Sequence, residues 1–128
     1  MSNTFPKSEK LKSSILIEAL FDKGKAVTKF PFKIIFLQHA NPSHSGIKAG
    51  FVVPKKNFKS AVKRNRIKRL LREAYRRNKH TSFNNIEGNY ALMILYLGKE
   101  IPTYDKVEKG VKALLSLFLE KISHEKSK

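Results

Sequence analysis

The chain has 128 residues, the length of a single domain, and its apolar content of 41% is enough for one hydrophobic core. It contains no cysteine, which excludes disulfides, cysteine-ligated zinc and a thiol nucleophile. The net charge is +17, from 27 Lys and Arg against 10 Asp and Glu. A field of this size is expected beside a polyanion, so nucleic acid is the first candidate partner and an anionic membrane surface the second.

No segment has the pattern of a membrane-spanning or secretory sequence. The longest apolar run, Tyr90 to Leu97, is far shorter than the roughly 20 residues that cross a bilayer. The N-terminus carries a charge but no apolar stretch behind it, unlike a signal peptide. We therefore expect a cytoplasmic protein.

The first part of the chain predicts an arm, a helix and two strands. Residues 1–12 are polar and basic, and we expect them to form a flexible arm. Apolar residues at helical spacing predict a helix over Ile15 to Phe21, with Gly24 placed to end it. A short strand is predicted over Val27 to Phe30 and a longer one over Lys33 to Leu37.

The next strand is predicted over Ile47 to Val53, and Pro54 ends it. A cluster of turn residues, Asn41 to Gly46, separates it from the strand over Lys33 to Leu37. Because this connection is short, we expect these two strands to form a hairpin.

The second half of the chain predicts two helices around a central strand. A basic helix covers Phe58 to Asn78, and a loop over His80 to Asn89 follows it. Tyr90 to Leu97 shows no polar alternation, which predicts a strand buried on both faces. Apolar residues from Val107 to Ile122 predict the last helix, with Thr103 as its N-cap.

These elements predict one α/β domain over residues 13–123, followed by a frayed tail over residues 124–128. In the order α-β-β-β-α-β-α, the helices cover one mixed four-stranded sheet in a two-layer sandwich. Gly110 lies inside the predicted last helix, where glycine costs roughly 1 kcal/mol relative to alanine.

Positive charge is concentrated in one segment. Residues 55–79 contain 12 Lys or Arg and a single acid, Glu73, so +11 of the net +17 lies in about a fifth of the chain. Surface helices normally mix signs, because like charges one turn apart destabilise a helix by roughly 0.2–0.5 kcal/mol per pair. So many like charges favour an anionic partner over a merely solvated face.

The basic helix is predicted to be amphipathic. With a rotation of about 100° per residue, its side chains fall into two stripes on opposite sides of the helix. One stripe presents cations and an amide suited to phosphates and bases: Asn65, Lys68, Arg69, Arg72 and Arg76. The opposite stripe is apolar and is predicted to pack on the sheet: Ile67, Leu70, Leu71, Ala74 and Tyr75. Glu73 lies four residues from both Arg69 and Arg77, and we expect it to hold one of these guanidinium groups.

The segment from Lys55 to Arg76 resembles the signature of the bacterial ribonuclease P protein component. Its centre is Arg64-Asn65-Arg66, followed by Lys68-Arg69 and Arg72. Phe21 to Lys25 and Gly50 to Lys56 are also similar to segments of this family. The resemblance covers most of the chain.

The resemblance implies a fold like the second domain of a small-subunit ribosomal protein, with a left-handed crossover between Ile47–Val53 and Tyr90–Leu97. It implies a protein cofactor of an RNA catalyst with bound Mg²⁺, which removes the 5′ leader of precursor tRNA and has neither a membrane nor a DNA partner. The basic helix would lie against the RNA subunit. The implied RNA-binding residues are Lys55, Lys56, Lys63, Arg64, Asn65, Arg66, Lys68, Arg69, Arg72 and Arg76.

The resemblance also implies an aromatic-lined cleft for the 5′ leader, between the basic helix and the sheet. Phe21 matches one of the aromatic positions, although it also fits a place in the core. Ile17 and Ile35 stand where the family has aromatics, so apolar packing on a base replaces ring stacking there. Phe36 lies on the opposite face of its strand from Ile35 and is predicted to be core.

The sequence shows no catalytic constellation. The ten acids are scattered, without a cluster suited to hold metal ions. The histidines fall in predicted loops or the tail, so no acid–base pair is indicated: His39, His44, His80 and His124. We predict no catalytic and no metal-ligating residue, which favours a cofactor protein over an autonomous nuclease.

Two other classes share the size and charge. A structural rRNA-binding protein of the ribosomal type is the main alternative, and the Arg64-Asn65-Arg66 motif argues against it. A helix-turn-helix DNA-binding protein is disfavoured because strands, and not a helix and a tight turn, precede the basic helix.

Overall fold

The computed structural model describes residue 11 and residues 14–39, 46–82 and 88–126. Its helices are α1, Ser14–Lys23; α2, Ala61–Ser82; and α3, Tyr104–Lys126. Its strands are β1, Lys25–Lys29; β2, Phe32–His39; β3, Ile47–Val52; and β4, Asn89–Tyr96. The element order is the predicted one. Most of the predicted turn over Asn41 to Gly46, and residues 1–10 and 12 of the predicted arm, lie outside the described residues.

The four strands form one mixed sheet in the order β1-β2-β4-β3. The pairs β1–β2 and β2–β4 are antiparallel, and β3–β4 is parallel. In β4 every residue from Tyr90 to Tyr96 is buried. The prediction of a central strand buried on both faces is therefore confirmed.

The predicted hairpin between β2 and β3 is wrong, because β4 lies between these two strands. Ile94 of β4 pairs with Ile34 of β2 on one side and with Phe51 of β3 on the other. Helices cover both faces of the sheet most completely at its inner positions, so the strand that is apolar on both faces lies inside the sheet, between β2 and β3. The hairpin of this fold is β1–β2, in which Lys29 pairs with Phe32.

Helices cover both faces of the sheet. The larger core joins the face that bears Ile34 and Phe36 to α2 and α3. A smaller apolar cluster on the other face joins Leu16 and Leu20 of α1 to Met93 of β4. The basic helix and α1 thus lie on opposite faces of one sheet.

The third helix begins as predicted and packs closely on the sheet. The backbone N–H of Lys106 donates to Oγ1 of Thr103 at 3.3 Å, which confirms the N-cap. Gly110 faces the ring of Phe32, and a Cβ at this position would overlap that ring. The glycine therefore lets α3 approach β2, and this packing offsets its low helix propensity. The helix continues to Lys126, beyond the point where fraying is expected.

Candidate nucleic-acid interface

The apolar stripe of α2 anchors the helix on the sheet, as predicted. Ile67, Leu71 and Ala74 have no exposed surface, and Tyr75 is buried with its ring 5.8 Å from the ring of Phe51 in a T-shaped pair. Burying two large aliphatic side chains contributes about 1.5–3 kcal/mol each. The helix is therefore held with its opposite face outward.

The outward face of α2 and the loop before it carry the predicted RNA-binding residues. Most of these side chains are exposed, whereas Arg64, Lys68 and Arg76 are half-buried. The exposed residues form one positively charged surface at the edge of the sheet where β3 lies: Lys55, Lys56, Lys63, Asn65, Arg66, Arg69 and Arg72.

Arg72 is held against the sheet. Its guanidinium carbon lies 5.9 Å from the centroid of the Phe51 ring, which is within the range of a cation–π contact. A guanidinium stacked on a ring keeps its N–H groups available at its edge for a phosphate. This contact positions one cation of the stripe at the β3 side of the interface.

Arg64 has a different environment from its neighbours in the motif. Its Nη1 donates to the backbone carbonyl oxygens of Phe58 at 2.7 Å and Lys59 at 2.9 Å. These bonds tie the first turn of α2 to the loop that precedes it. Ser60 reinforces the junction, because its Oγ accepts a hydrogen bond from the backbone N–H of Lys63 at 3.3 Å.

Glu73 holds cations at the C-terminal half of α2. Its carboxylate accepts hydrogen bonds from Arg76 at 2.6 and 3.2 Å and from Arg77 at 3.2 Å. The predicted pairing with Arg77 is confirmed, whereas the structure pairs Glu73 with Arg76 and not with Arg69. The hydrogen bond from Arg76 is the main cause that lowers the pKa of Glu73, and partial burial opposes it. The cluster of three has a net charge of only +1.

The same cluster touches α3. The guanidinium carbon of Arg77 lies 5.7 Å from the centroid of the Tyr104 ring. Burial is the largest cause that raises the pKa of Tyr104, so its hydroxyl stays neutral at physiological pH. Arg77 therefore contributes to the packing of α2 on α3.

The residues predicted for the leader cleft lie on the opposite face of the sheet from α2. Ile17 and Ile35 are half-buried against the apolar cluster beneath α1, and Phe21 is 57% exposed at the next turn. The expected cleft between α2 and the sheet is wrong, because buried side chains such as Ile67 and Leu71 fill that space. Phe21 is not a core residue, whereas Phe36 is buried as predicted.

A groove that sequence reasoning missed lies beside the loop before α2. It is lined by Phe30, Lys56, Asn57, Leu97 and Lys99 and has a volume of about 660 Å³. Only Lys56 was predicted to bind RNA. The groove could not be predicted because its lining residues come from three segments that are distant in the sequence. The one weak signal in the sequence is the aromatic residue Phe30 next to Pro31.

Within the described residues no three His, Asp or Glu side chains lie close enough to hold a metal ion. This part of the chain therefore does not fit a protein-held Mg²⁺ site.

Two histidines that were expected in loops lie in secondary structure instead. His39 is the last residue of β2, and His80 lies within α2. No described helix is long and apolar enough to cross a membrane.

A rigidly seated helix that presents a cationic face, in a domain with net charge +17, defines a nucleic-acid-binding protein. Residues 5–118 match the family described as Ribonuclease P. The chain belongs to the ribonuclease P protein family, whose members are the protein component of a bacterial ribonucleoprotein endonuclease that processes tRNA.

Individual relatives agree with this assignment. The chain is 34% identical over 114 residues to the ribonuclease P protein component of Porphyromonas gingivalis, covering 85% of this chain and 82% of that protein. It is 32% identical over 126 residues to that of Chlorobium phaeobacteroides, covering 88% and 86%.

Solved structures show the same fold. The RNase P protein of Staphylococcus aureus superposes with a TM-score of 0.68 at 20% identity, covering 87% of this chain and 95% of that one. The RNase P protein of Thermotoga maritima gives a TM-score of 0.65 at 25% identity, covering 84% and 94%.

Proposed function

We propose that this chain binds the RNA subunit of ribonuclease P and the 5′ leader of precursor tRNA, and thereby promotes Mg²⁺-dependent removal of the leader in the cytoplasm. The observation that carries the proposal is the outward face of α2, where Arg66, Arg69 and Arg72 are exposed on a helix with a fully buried opposite face. Such cations contact phosphates and release counterions from RNA. The family assignment supports the RNA subunit of ribonuclease P as that RNA.

The chain's own residues support a division of labour between the protein and the RNA subunit. The described side chains bring together cations but no carboxylate or histidine cluster that could hold Mg²⁺. In the proposed holoenzyme the RNA subunit binds Mg²⁺ and supplies the chemistry of phosphodiester hydrolysis. The protein screens the repulsion between two polyanions, which brings the substrate to the RNA at a lower Mg²⁺ concentration.

The leader is proposed to lie on the α1 side of the sheet. Phe21 offers an exposed ring, and Ile17 and Ile35 provide an apolar floor beside it. An extended single strand can place its bases on such a surface with its phosphates outward. This arrangement separates the leader from the α2 face, so the two RNAs are bound by different sides of the domain.

Reconstitution tests the proposal. The purified chain, the cognate RNA subunit and a precursor tRNA are combined over a range of Mg²⁺ concentrations, and 5′ cleavage is measured. We expect no cleavage by the protein alone, and cleavage by the complex at a lower Mg²⁺ concentration than the RNA alone requires. Efficient cleavage without any RNA subunit overturns the proposal. Binding to rRNA without any effect on cleavage supports a structural rRNA-binding protein instead.

A further inference from the structure

The groove beside the loop before α2 combines an exposed ring with two cations. Phe30, at the tip of the β1–β2 turn, is 75% exposed. Lys56 and Lys99 line the same groove, together with Asn57 and Leu97, and none of the described residues that line it is acidic. Its volume of about 660 Å³ falls within the range of roughly 300–1,000 Å³ that is typical of sites for small ligands.

Leu97 fixes the two walls of the groove relative to each other. Its backbone N–H donates to the carbonyl oxygen of Pro31 at 2.7 Å, which holds the turn that carries Phe30. Its carbonyl oxygen accepts a hydrogen bond from Nδ2 of Asn57 at 3.2 Å, which holds the loop that carries Lys56. The two backbone segments that carry Phe30 and Lys56 are therefore both fixed to Leu97, the residue that follows β4.

The segment that carries Lys99 is also held in place. The hydroxyl of Tyr96 donates to the carbonyl oxygen of Glu100 at 2.6 Å. Gly98 passes so close to the Tyr96 ring that a Cβ there would overlap it. The Tyr96 ring itself stacks on the buried ring of Phe58, with centroids 6.3 Å apart. Lys99 is thus presented by a loop packed against the core.

We propose that this groove binds an unpaired nucleotide of RNA, with its base stacked on Phe30 and its flanking phosphates beside Lys56 and Lys99. An exposed ring between cations suits a single strand, because every base offers a π-face and every linkage a negative charge. The loop that carries Lys56 leads directly into α2, so the groove continues the cationic surface of that helix. The binding chemistry stands on the groove alone, and only the source of the nucleotide rests on the proposed function.

The chain contains no tryptophan, so Phe30→Trp places a single fluorophore in the groove. The probes are a short oligouridylate and an abasic oligonucleotide of the same length. We expect the emission of Phe30→Trp to be quenched saturably by oligouridylate and not by the abasic strand. The matched control is Ser116→Trp, because Ser116 is exposed on α3, outside the groove and away from the α1 side of the sheet. Its emission is expected to respond equally to both strands.

Affinity provides a second readout. Phe30→Ala is expected to weaken oligouridylate binding by about 5- to 150-fold, which corresponds to ~1–3 kcal/mol for one stacked base. Binding of the abasic strand is expected to stay unchanged, and Phe30→Trp is expected to retain the wild-type affinity. Circular dichroism checks that each variant is folded. Equal oligouridylate affinity of Phe30→Ala and wild type, or equal quenching of Phe30→Trp by both strands, overturns the proposal.

Three natural RNAs then distinguish the source of the nucleotide: precursor tRNA with its leader, the same tRNA without a leader, and the RNA subunit. Quenching of Phe30→Trp by leader-bearing but not leaderless precursor tRNA assigns the groove to the leader, and quenching by the RNA subunit alone assigns it to that subunit. Quenching by none of the three RNAs overturns the proposal. Base-dependent quenching by oligouridylate in a protein that fails to promote tRNA cleavage upholds the groove and overturns only the proposed function.

Discussion

The guanidinium group of Arg64 donates a hydrogen bond of 2.7 Å to the backbone carbonyl of Phe58, six residues earlier in the chain. Phe58 is buried, so this bond connects the first turn of α2 to a fixed point in the core. Arg64 belongs to the motif that predicts RNA binding, yet in the structure its guanidinium group stabilises the fold. It positions the loop from which Lys55 and Lys56 project.

Loss of Arg64 should loosen this loop before any RNA is bound. Arg64→Ala removes two hydrogen bonds from a charged donor, each worth about 1.5–3 kcal/mol, so trypsin cleavage after Lys55, Lys56 or Lys59 should accelerate about tenfold or more. Arg66→Ala, at an exposed neighbouring position, is the control and should digest at the wild-type rate. Identical digestion of both variants would show that Arg64 does not hold the loop.

The exposed cations of α2 should differ from the paired ones in their effect on RNA binding. Arg69→Ala should reduce the slope of log affinity against log salt by about 0.7–0.9, the value for one lost phosphate contact. Arg77→Ala should change the slope much less, because Glu73 already accompanies Arg77. Binding titrations from low to moderate salt measure both slopes. An unchanged affinity and slope in Arg69→Ala would mean that this face is only solvated.

Glu73 should stabilise the fold in a pH-dependent way. The pKa of its carboxyl is lowered from 4.5, so its contribution is present above pH 4.5 and is lost as the pH falls through the lowered value. Because the side chain is 38% exposed, Glu73→Gln should cost only about 0.2–1 kcal/mol at neutral pH. Urea unfolding at a series of pH values should show this difference shrinking below pH 4.5. A difference that is constant with pH would contradict the assignment.

Gly110 should resist replacement by alanine despite the higher helix propensity of alanine. The propensity gain is roughly 1 kcal/mol, but the added methyl group overlaps Phe32 and should cost about 1–3 kcal/mol through overpacking. Thermal unfolding should show a lower Tm for Gly110→Ala. Ser116→Ala, exposed on the same helix, should leave the Tm unchanged or raise it slightly. A higher Tm for Gly110→Ala would show that α3 can move away from β2.

Substitutions at Phe21 and at its neighbour Leu20 should have different effects: the first on binding of precursor tRNA, the second on the stability of the fold. Phe21 is 57% exposed, so Phe21→Ala should affect stability little and weaken binding of leader-bearing precursor tRNA by about 5- to 150-fold. Leu20 is 1% exposed, so Leu20→Ala should destabilise the fold by about 2–5 kcal/mol. Equal loss of affinity of Phe21→Ala for leader-bearing and leaderless tRNA would refute the leader assignment.

Local patterns predicted the elements well, because they depend on side chains close in sequence. The unbroken apolar run of β4 indicated a central strand, and the spacing of Ile67 and Leu71 indicated the buried side of α2. The prediction that β2 pairs with β3 was wrong. The turn-rich connection between these two strands carries no information about β4, which follows β2 by 50 residues in the chain. Because β4 is apolar on both faces, it lies inside the sheet between β2 and β3, although only a short connection joins those two strands.

The sequence also located the charged surface but not the partners of its charges. Arg64 and Arg69 look alike in the motif, yet carbonyl groups of a preceding loop engage only the first of them in the described structure. Phe30 and Lys99 are about 70 residues apart in the chain and line one groove, where a backbone hydrogen bond joins Leu97 to Pro31. Acceptors and groove walls of this kind arise from tertiary contacts, which composition and periodicity do not encode.

The central strand of the sheet is also the last one to be synthesised. A ribosome synthesises β1, β2, β3 and all of α2 before it makes residue 89, so the two flanking strands, β2 and β3, cannot pair with β4 until then. Until then the apolar side of α2 has no completed sheet to cover, and the strongly cationic segment has no rigid support. The supported form of the cationic surface is therefore complete only when β4 has joined the sheet.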